Sequence, residues 1–276
     1  MQIISTAAEL RQYLSTETSI AFVPTMGNLH EGHLDLVRTA RTYGTCVVVS
    51  IFVNPLQFGP SEDFDKYPRT LEADCERLKG LADVVFAPPV SEMYPEKQTV
   101  FVEPPAIANE LEGATRPGHF RGMATVVLKL LNIVQPQVAV FGKKDYQQLH
   151  IIRKLVAELN LPVSIVGCET VRDEVGLALS SRNQYLSPSE LDEAPFMHQT
   201  LQRMGEAILG GEKNLEHLQQ QAVEALAARG WKVDYVAVRN QFDLQPPGRT
   251  ERELVILAAA RLGDTRLIDN VEVSLA

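Results

Sequence analysis

The sequence has little cysteine and a single tryptophan among its 276 residues. The three cysteines, at positions 46, 75 and 168, show no pair spacing, which argues against a disulfide framework or a set of zinc ligands. Cys46 and Cys168 lie in apolar, strand-like runs, where cysteine usually serves as a small buried hydrophobic residue. This use of cysteine is typical of a reducing compartment and predicts a cytoplasmic protein.

Long apolar runs are absent as well. No stretch approaches the roughly 20 residues that a membrane-spanning helix needs, and no signal peptide opens the sequence. We therefore expect no membrane partner. Hydrophobic residues make up 45% and charged residues 22% of the chain, which is ordinary for a globular protein with a full core.

The third deficit is positive charge. The formal net charge is −9, and the sequence contains no long run of lysine or arginine. A protein that binds nucleic acid needs a basic surface to face the phosphate backbone. Nucleic acid is therefore not expected as the main partner.

The most informative stretch is residues 24–33, Pro-Thr-Met-Gly-Asn-Leu-His-Glu-Gly-His, which we call the signature loop. It follows the apolar run 20–23 and precedes the periodic run 34–43, a pattern that predicts a strand, a tight loop and a helix. Such a βα turn is where an α/β protein places a nucleotide.

Several residues of the signature loop suit a phosphate chain. Gly27 lets the backbone approach a ligand, or adopt a positive φ, without a Cβ penalty. His30 and His33 stand three residues apart at the helix start, so they project from one face beside helix-terminal N–H groups. Gly32 between them leaves a flat patch for a base. Metal ligation by the two histidines is the less favoured alternative, because a zinc site needs three or four ligands and His119 is distant in sequence.

The chain as a whole alternates buried strand patterns with helical periodicity. Helices are predicted over residues 6–14, 34–43, 71–81, 106–111, 123–134, 190–209 and 215–228, and strands over 20–23, 45–53, 83–87, 99–102, 138–141, 163–166, 233–238, 253–260 and 266–268. This order predicts an α/β fold with a Rossmann-like doubly wound parallel sheet, followed by a second, smaller α+β domain with antiparallel strands. We predict domains over residues 1–171 and 172–276, with the active site in the crevice between them.

His30-Glu31-Gly32-His33 resembles the His-x-Gly-His signature of the nucleotidylyltransferase superfamily, which class I aminoacyl-tRNA synthetases share. The whole signature loop, with motifs at residues 142–148 and 179–183, resembles the pantothenate synthetase (pantoate–β-alanine ligase) family. The resemblance covers nearly the whole chain, and its strongest motifs lie between residues 22 and 187. The acidic balance disfavours a tRNA-binding role.

The resemblance implies ATP-binding residues in three segments. They are Pro24, Thr25, Met26, Gly27, His30, Gly32 and His33 of the signature loop, Gly142, Lys143, Lys144 and Asp145 after the strand over 138–141, and Val171, Leu179, Ser180, Ser181 and Arg182. The residues expected to be catalytic are His30, His33, Lys144 and Arg182.

Lys144 and Asp145 suit the chemistry of a triphosphate. Lys144 can neutralise phosphate charge, and Asp145 can hydrogen-bond a ribose or help to hold Mg²⁺. At a generic helix start, a surface salt bridge would be the better interpretation. The match to the family's Gly-x-Lys-Asp-Tyr-x-Gln favours the functional role. Lys143 replaces the family's usual glutamate, so its side chain is expected to point away from substrate.

Leu179-Ser180-Ser181-Arg182-Asn183 resembles the second nucleotide motif, the counterpart of the superfamily's Lys-Met-Ser-Lys-Ser loop. Its hydroxyls and Arg182 can bind the β- and γ-phosphates and stabilise departing pyrophosphate. Family members commonly carry methionine where this chain has Leu179, a change without consequence if that residue acts through its backbone. Without the resemblance this stretch would be only a polar loop.

The resemblance assigns four residues to the pantoate and β-alanine site: Gln57, Gln148, Asn54 and Met26. The two glutamines are expected on loops, where an amide can donate to a carboxylate and accept from a hydroxyl of pantoate. A basic loop is a further candidate for substrate contact, and its residues are Arg116, His119 and Arg121.

The implied reaction joins pantoate to β-alanine through a pantoyl adenylate, consuming ATP with Mg²⁺ and releasing pyrophosphate and AMP. The first domain is expected to bind ATP and pantoate, the second to act as a lid, and the chain to form a homodimer. One rival is a nucleotidylyltransferase that keeps the nucleotide on its product; the paired glutamines disfavour it. The other is a regulatory nucleotide-binding protein without turnover, which the joint presence of four catalytic candidates disfavours.

Overall fold

The computed structural model describes residues 1–59 and 64–275. The chain divides into two compact units. Unit 1 consists of Met1–Lys143 and Gln148–Glu169, and unit 2 consists of Lys144–Gln147 and Thr170–Ala276. The domain boundary at residues 171 and 172, the crevice site and the lid function of the second domain stay predictions.

Unit 1 is built on a six-stranded parallel sheet. Its strands are β1 (Gln2–Ile4), β2 (Ile20–Thr25), β3 (Cys46–Ile51), β4 (Val84–Phe86), β5 (Val138–Gly142) and β6 (Ser164–Cys168), in the order β1-β4-β3-β2-β5-β6. Val47, Val48 and Val49 of β3 are each 0% exposed. Because successive strand residues face opposite sides, this burial shows that both faces of the sheet are covered. The predicted doubly wound parallel sheet is confirmed.

The helices of unit 1 connect these strands. They are α1 (Ala7–Leu14), α2 (Glu31–Arg41), α3 (Leu71–Leu78), α4 (Val90–Met93), α5 (Glu112–Thr115), α6 (His119–Val134) and α7 (Tyr146–Glu158), of which α7 begins in unit 2. Thr6 caps α1 as its position before the apolar stripe predicts, since its hydroxyl accepts a hydrogen bond from the Glu9 N–H at 3.3 Å. In the part of the chain that the structure describes, no helix has the length and apolarity to cross a bilayer.

Unit 2 contains a three-stranded antiparallel sheet. Its strands are β7 (Lys232–Asn240), β8 (Glu253–Leu262) and β9 (Thr265–Ser274), and its helices are α8 (Pro188–Glu193), α9 (Pro195–Leu209) and α10 (Leu215–Ala228). Leu201, Leu226 and Ile256, each 0% exposed, lie in the hydrophobic core between helices and sheet. The predicted small α+β domain with antiparallel strands is confirmed.

Several local predictions are wrong. Residues 99–102 form a connection without strand structure, and 106–111 contains a 3₁₀ turn, Ala106–Asn109, in place of a helix. The predicted helix over 190–209 is two helices, which divide at Pro195 because proline lacks the N–H that would continue the hydrogen bonding of α8. Helix α6 begins at His119 rather than residue 123, so most of the predicted basic loop is helical.

Candidate active site

The signature loop lies at the topological switch point of the unit 1 sheet. Strand β2 pairs with β3 on one side and with β5 on the other. The chain runs outward from β2 through β3 to β4, and then returns to begin the other half of the sheet at β5. Ligands of open parallel sheets bind beyond the carboxyl ends of the strands at such a point. The signature loop follows β2 directly, and Gly142 ends β5.

The backbone of the signature loop requires glycine at position 27. Gly27 has φ +84°, and a Cβ there would lie 3.0 Å from Ile51 Cγ2 and 3.1 Å from Asp74 Oδ2. Its N–H donates to Thr25 Oγ1 at 3.2 Å, and that hydroxyl donates to the Ser50 carbonyl at 2.8 Å. These hydrogen bonds tie the loop to the ends of β2 and β3. Any residue with a Cβ at position 27 would be strained there.

The backbone of the signature loop is bound by a buried carboxylate, Asp74, which was not among the residues predicted from the sequence. Asp74 on α3 is 2% exposed and accepts hydrogen bonds from the backbone N–H groups of Asn28 at 2.9 Å and Leu29 at 2.7 Å. The Thr70 hydroxyl donates to it at 3.1 Å. Hydrogen bonds to a charged acceptor are stronger than neutral ones. Its signal was its place on the apolar stripe of α3, four residues before Leu78.

The two histidines of the signature loop touch each other at the start of α2. Their ring centroids lie 4.0 Å apart, and both side chains are half-buried. The backbone N–H of His30, the N-cap residue, donates to His33 Nδ1 at 3.3 Å. Because His33 Nδ1 accepts a hydrogen bond, the neutral ring carries its proton on Nε2. The Nε2–H group of His33 is therefore a donor, which suits an oxygen of a phosphate chain.

The structure brings three pantoate-site candidates, Asn54, Gln57 and Met26, into one buried network. Asn54, which is 1% exposed, donates from Nδ2 to Gln57 Oε1 at 3.0 Å and to the Gly122 carbonyl at 3.2 Å. Its Oδ1 accepts from the Tyr94 hydroxyl at 2.7 Å. Gln57 Nε2 in turn contacts Met26 Sδ at 3.2 Å. Each amide is thus held in one orientation beside the signature loop.

One residue of the predicted basic loop, His119 at the start of α6, contacts this network. His119 Nδ1 lies 2.8 Å from the Gln57 carbonyl oxygen, and Arg116 Nη1 lies 3.1 Å from His119 Nε2. Arg121 instead pairs with Glu103, Nε to Oε2 at 3.0 Å. His119 therefore contacts the backbone of a pantoate-site candidate, whereas Arg121 contacts an acidic side chain outside that network.

Electrostatics keep Tyr94 in its donating form. Burial raises the pKa of the Tyr94 hydroxyl well above its ordinary value, so the group stays protonated and donates to Asn54. Lys129 lies with Nζ 4.4 Å from the Tyr94 ring centroid, and desolvation lowers the pKa of this ammonium group. Lys129 Nζ also donates to Gln98 Oε1 at 3.1 Å.

Two further unit 1 candidates lie after β5. Lys143 pairs with Glu169, Nζ to Oε1 at 2.5 Å, so its ammonium group is directed at an acidic residue of unit 1. Gln148 is half-buried on α7, and Gln57 lies in the 3₁₀ turn Pro55–Gln57. The prediction that both glutamines lie on loops is therefore wrong.

Unit 2 holds the remaining candidates. Lys144 is half-buried and Asp145 exposed in the 3₁₀ turn Lys143–Asp145. The Leu179 N–H donates to the Val171 carbonyl at 3.0 Å. Ser180 caps the 3₁₀ helix Ser181–Tyr185, because its Oγ accepts the Arg182 N–H at 3.2 Å. The backbone of Arg182 is therefore fixed by Ser180.

An ion pair stands at the base of that second motif. Arg172 binds Asp269 in a bidentate arrangement, with Nη1 to Oδ2 at 2.6 Å and Nη2 to Oδ1 at 2.7 Å. Burial tends to raise the pKa of Asp269, but hydrogen bonds from His198 and Arg172 and the Arg172 charge outweigh it and lower that pKa. Asp269 therefore stays ionised at neutral pH. Among the described residues, no group of three or more His, Cys, Asp or Glu side chains could hold a metal ion.

The signature loop at the switch point of a six-stranded parallel sheet, with a separate three-stranded unit, defines a Rossmann-like α/β protein. The sequence matches the family model described as pantoate-beta-alanine ligase over residues 2–272. The chain therefore belongs to the pantoate–β-alanine ligase family and is an enzyme of the ligase class. This membership favours the ligase over the nucleotidylyltransferase and regulatory alternatives.

Similar proteins of known name or structure support this family membership. The chain is 55% identical to a pantothenate synthetase of Nitrosospira multiformis over 99% of both sequences. It is similar to the crystal structure of a Thermus thermophilus pantothenate synthetase, with TM-score 0.95, 47% identity and coverage of 99% of this chain and 100% of that one. A Francisella tularensis pantoate-beta-alanine ligase, solved in complex with beta-gamma ATP and beta-alanine, gives TM-score 0.81 and 37% identity over 98% of this chain and 97% of that one.

Proposed function

We propose that this enzyme condenses pantoate with β-alanine at the expense of ATP, forming pantothenate, AMP and pyrophosphate through a pantoyl adenylate. The observation that carries the proposal is the signature loop, fixed at the switch point with the His33 proton assigned to Nε2, a donor suited to a phosphate oxygen. The relative crystallised with beta-gamma ATP and beta-alanine supports both substrates.

In the first step, a carboxylate oxygen of pantoate attacks the α-phosphorus of ATP. The new P–O bond forms as the bond to the β-phosphate breaks, and pyrophosphate leaves with that electron pair. Because two anions must approach each other, catalysis rests on orientation and on positive charge or N–H donors near the phosphates. We assign this role to His33, Lys144 and Arg182, with His30 holding His33 in place.

In the second step, the neutral amine of β-alanine attacks the acyl carbon of the adenylate. The C–N bond forms, the C–O bond to AMP breaks, and AMP leaves with the electron pair while the amine loses a proton. Neither step requires a covalent bond to the enzyme. The residues that orient the acyl group therefore serve both steps.

The remaining proposed ATP contacts divide between backbone and hydroxyl groups. They are Pro24, Thr25, Met26, Gly27 and Gly32 of the signature loop, Gly142 and Lys143 after β5, and Val171, Leu179, Ser180 and Ser181 of the second motif. Mg²⁺ typically keeps several waters and binds substrate phosphates with one or two carboxylates. The exposed Asp145 carboxylate fits such a site, where Mg²⁺ would neutralise triphosphate charge.

The pantoate site is proposed at the buried amide network. Asn54 and Gln57 are fixed by Tyr94 and by each other, which leaves little orientational freedom to lose when a polar substrate binds. We add Met26, which contacts Gln57, and Gln148 on α7. A dry site of this kind would select a substrate with both a carboxylate and hydroxyl groups.

Gln148→Ala is expected to raise the KM for pantoate while the KM for ATP changes little. An unmade hydrogen bond in a buried site costs ~1–3 kcal/mol, which corresponds to roughly 5- to 150-fold in KM. The measurement is pantoate-driven ATP–pyrophosphate exchange, with Gln220→Ala on α10, another helical glutamine, as the control. An analogue that lacks the bonded hydroxyl should lose most of its disadvantage in the variant. An equal response of pantoate and this analogue would remove Gln148 from the site.

ATP–pyrophosphate exchange also tests the proposed function as a whole. We expect exchange with pantoate alone, little exchange with a panel of other carboxylic acids, and release of AMP only after β-alanine is added. Exchange that requires β-alanine would contradict the adenylate intermediate. Equal exchange with unrelated acids would contradict the substrate assignment.

We further propose that the enzyme is cytoplasmic and forms a homodimer, as membership of the family supports. Sedimentation equilibrium at micromolar concentration measures the mass directly. The expected mass is twice the 30.6 kDa of one chain. A mass of one chain at all concentrations would contradict the dimer.

A further inference from the structure

We propose that Asp269 and Asn270 of β9 are positioning residues for the adenylation step, an inference that rests on the proposed function. The two residues are consecutive, and they pair with Ala258 and Leu257 in the middle of the sheet of unit 2. Their side chains hold the two segments of unit 2 that carry ATP-binding candidates. We call these segments the Lys144 turn, residues 144–146, and the phosphate segment, residues 171–182.

Asn270 holds the Lys144 turn by its backbone. Asn270 is 7% exposed, and its Nδ2 donates to the Lys144 carbonyl oxygen at 3.0 Å. Two residues along the same strand, and so on the same face, Glu272 accepts the Tyr146 hydroxyl at 2.8 Å. Two side chains of one strand thus bracket the turn. The position of the Lys144 backbone, from which its side chain extends, is therefore fixed by β9 as well as by the turn itself.

Asp269 holds the phosphate segment from the other side of the strand. Its carboxylate is 6% exposed and binds the Arg172 guanidinium through both oxygens. Arg172 also donates to the Gly176 carbonyl at 3.2 Å and forms an antiparallel bridge with Ala178. Arg172 therefore helps to close the hairpin that leads into Leu179 and Ser180, together with backbone hydrogen bonds and the Asp173 carboxylate, which accepts the Leu177 N–H at 2.8 Å. Asp269 orients the Arg172 side chain.

The placement of Asp269 and Asn270 is better explained by a role in orienting the two segments than by a role in stabilising the fold. A buried ion pair is weak support for a fold, since apolar residues of similar volume often serve as well. A bidentate Arg–carboxylate pair and a directed amide add geometric specificity. The Asn270 amide binds the backbone carbonyl of the proposed catalytic Lys144. The Asp269–Arg172 pair binds the hairpin that precedes Ser180 and the proposed catalytic Arg182. Adjacent placement on β9 couples the two segments to one rigid element.

The test is Asn270→Ala in pantoate-driven ATP–pyrophosphate exchange. We expect kcat to fall roughly 10-fold, the value of one hydrogen bond that orients a reacting group, while the KM for pantoate stays within about twofold. The matched control is Asn240→Ala, because Asn240 in the same sheet also holds a turn, accepting the Phe242 N–H at 2.6 Å, but no ATP candidate lies there. If Asn270→Ala does not fold, Asn270→Asp, which keeps the shape but lacks the donor, is judged by the same criterion.

Two further comparisons test whether the effect of Asn270 acts through Lys144 and whether Asp269 has a similar role. In a Lys144→Ala background, Asn270→Ala should cost nothing further, because its effect runs through Lys144; a further 10-fold loss would overturn the proposal. Asp269→Asn should also lower kcat, whereas Asp234→Asn, which breaks the Arg266 pair of the same sheet at 2.7 Å, should not. If kcat in both Asn270→Ala and Asp269→Asn equals that of wild type, the positioning role is contradicted and the proposed function is not. Absence of exchange in the wild-type enzyme contradicts the proposed function.

Discussion

Replacement of His33 by alanine is expected to lower kcat for pantoate-driven pyrophosphate exchange by ~10²–10³-fold, with little change in the KM for ATP. The His30 N–H binds His33 Nδ1 at 3.3 Å and so assigns the proton of the neutral ring to Nε2. A donor aimed at charge that develops on the triphosphate acts mainly in the transition state, so its loss appears in kcat. The magnitude is that of one oxyanion-type donor.

A second substitution separates this catalytic effect from a structural one. His33→Ala also removes the acceptor for the His30 N–H, and one such hydrogen bond contributes about 0.5–1.5 kcal/mol to stability. In His33→Asn, the amide oxygen takes the place of Nδ1 and keeps the cap, but no donor takes the place of Nε2. We therefore expect His33→Asn to unfold at the wild-type denaturant midpoint while it loses as much kcat as His33→Ala.

Two outcomes would count against this role. An unchanged kcat with a raised KM for ATP would make His33 a residue that only binds the nucleotide. Recovery of most of the rate in His33→Asn would show that the cap alone accounts for the loss in His33→Ala. Single-turnover measurement of adenylate formation distinguishes chemistry from product release in each variant.

Gly122→Ala is expected to destabilise unit 1 by about 3 kcal/mol or more and to raise the KM for pantoate. Gly122 lies inside α6, where a Cβ would stand 2.0 Å from the Leu56 carbonyl oxygen and 2.7 Å from the Gln57 N. These atoms are backbone, so no rotamer change relieves the overlap. The turn that presents Gln57 must move, and the Asn54 hydrogen bond to the Gly122 carbonyl, 3.2 Å in the wild type, moves with it.

Gly205→Ala provides the matched control. Gly205 lies on the buried face of α9, but its Cβ would meet only side-chain methyl groups, the nearest of them Val273 Cγ2 at 3.3 Å. Alanine gains up to ~1 kcal/mol of helix propensity over glycine, which offsets a small adjustment of that methyl group. We expect its free energy of unfolding, measured by denaturant titration, to lie within about 1 kcal/mol of wild type. Equal stability of both variants would contradict close packing of α6 on the Leu56 turn.

Elements with strong local patterns could be predicted from the sequence. The β-branched run that forms β3 and the apolar stripe of α6 dictate buried elements by themselves, and Thr6 and Ser187 mark helix starts by capping. The strand predicted over 99–102 failed because its β-branched and aromatic residues favour a strand but find no sheet partner among the described residues. Strand propensity depends on pairing that a local pattern does not contain.

The candidate site was predictable only as a set of loops. Position after a strand indicated His30, His33 and the Lys144 turn, since the ends of parallel strands meet at one edge. The residues that orient these groups lie elsewhere in sequence. Asp74 is more than 40 positions from the loop it holds, and Asn270 is more than 100 from Lys144. Their roles depend on tertiary hydrogen bonds, which composition and periodicity do not encode.

The division of the chain at Lys144–Gln147 has a consequence for protein engineering. The polypeptide enters unit 2 for these four residues, returns to unit 1 at Gln148, and leaves again at Thr170. Unit 2 is therefore a discontinuous domain, and a fragment that begins at residue 170 lacks the proposed catalytic lysine. A fragment that ends at residue 169 keeps the lysine but loses Asn270 and Glu272, which bind its turn. A cut between residues 169 and 170, whether made to isolate a unit or to exchange it, therefore separates Lys144 from strand β9, which binds its turn.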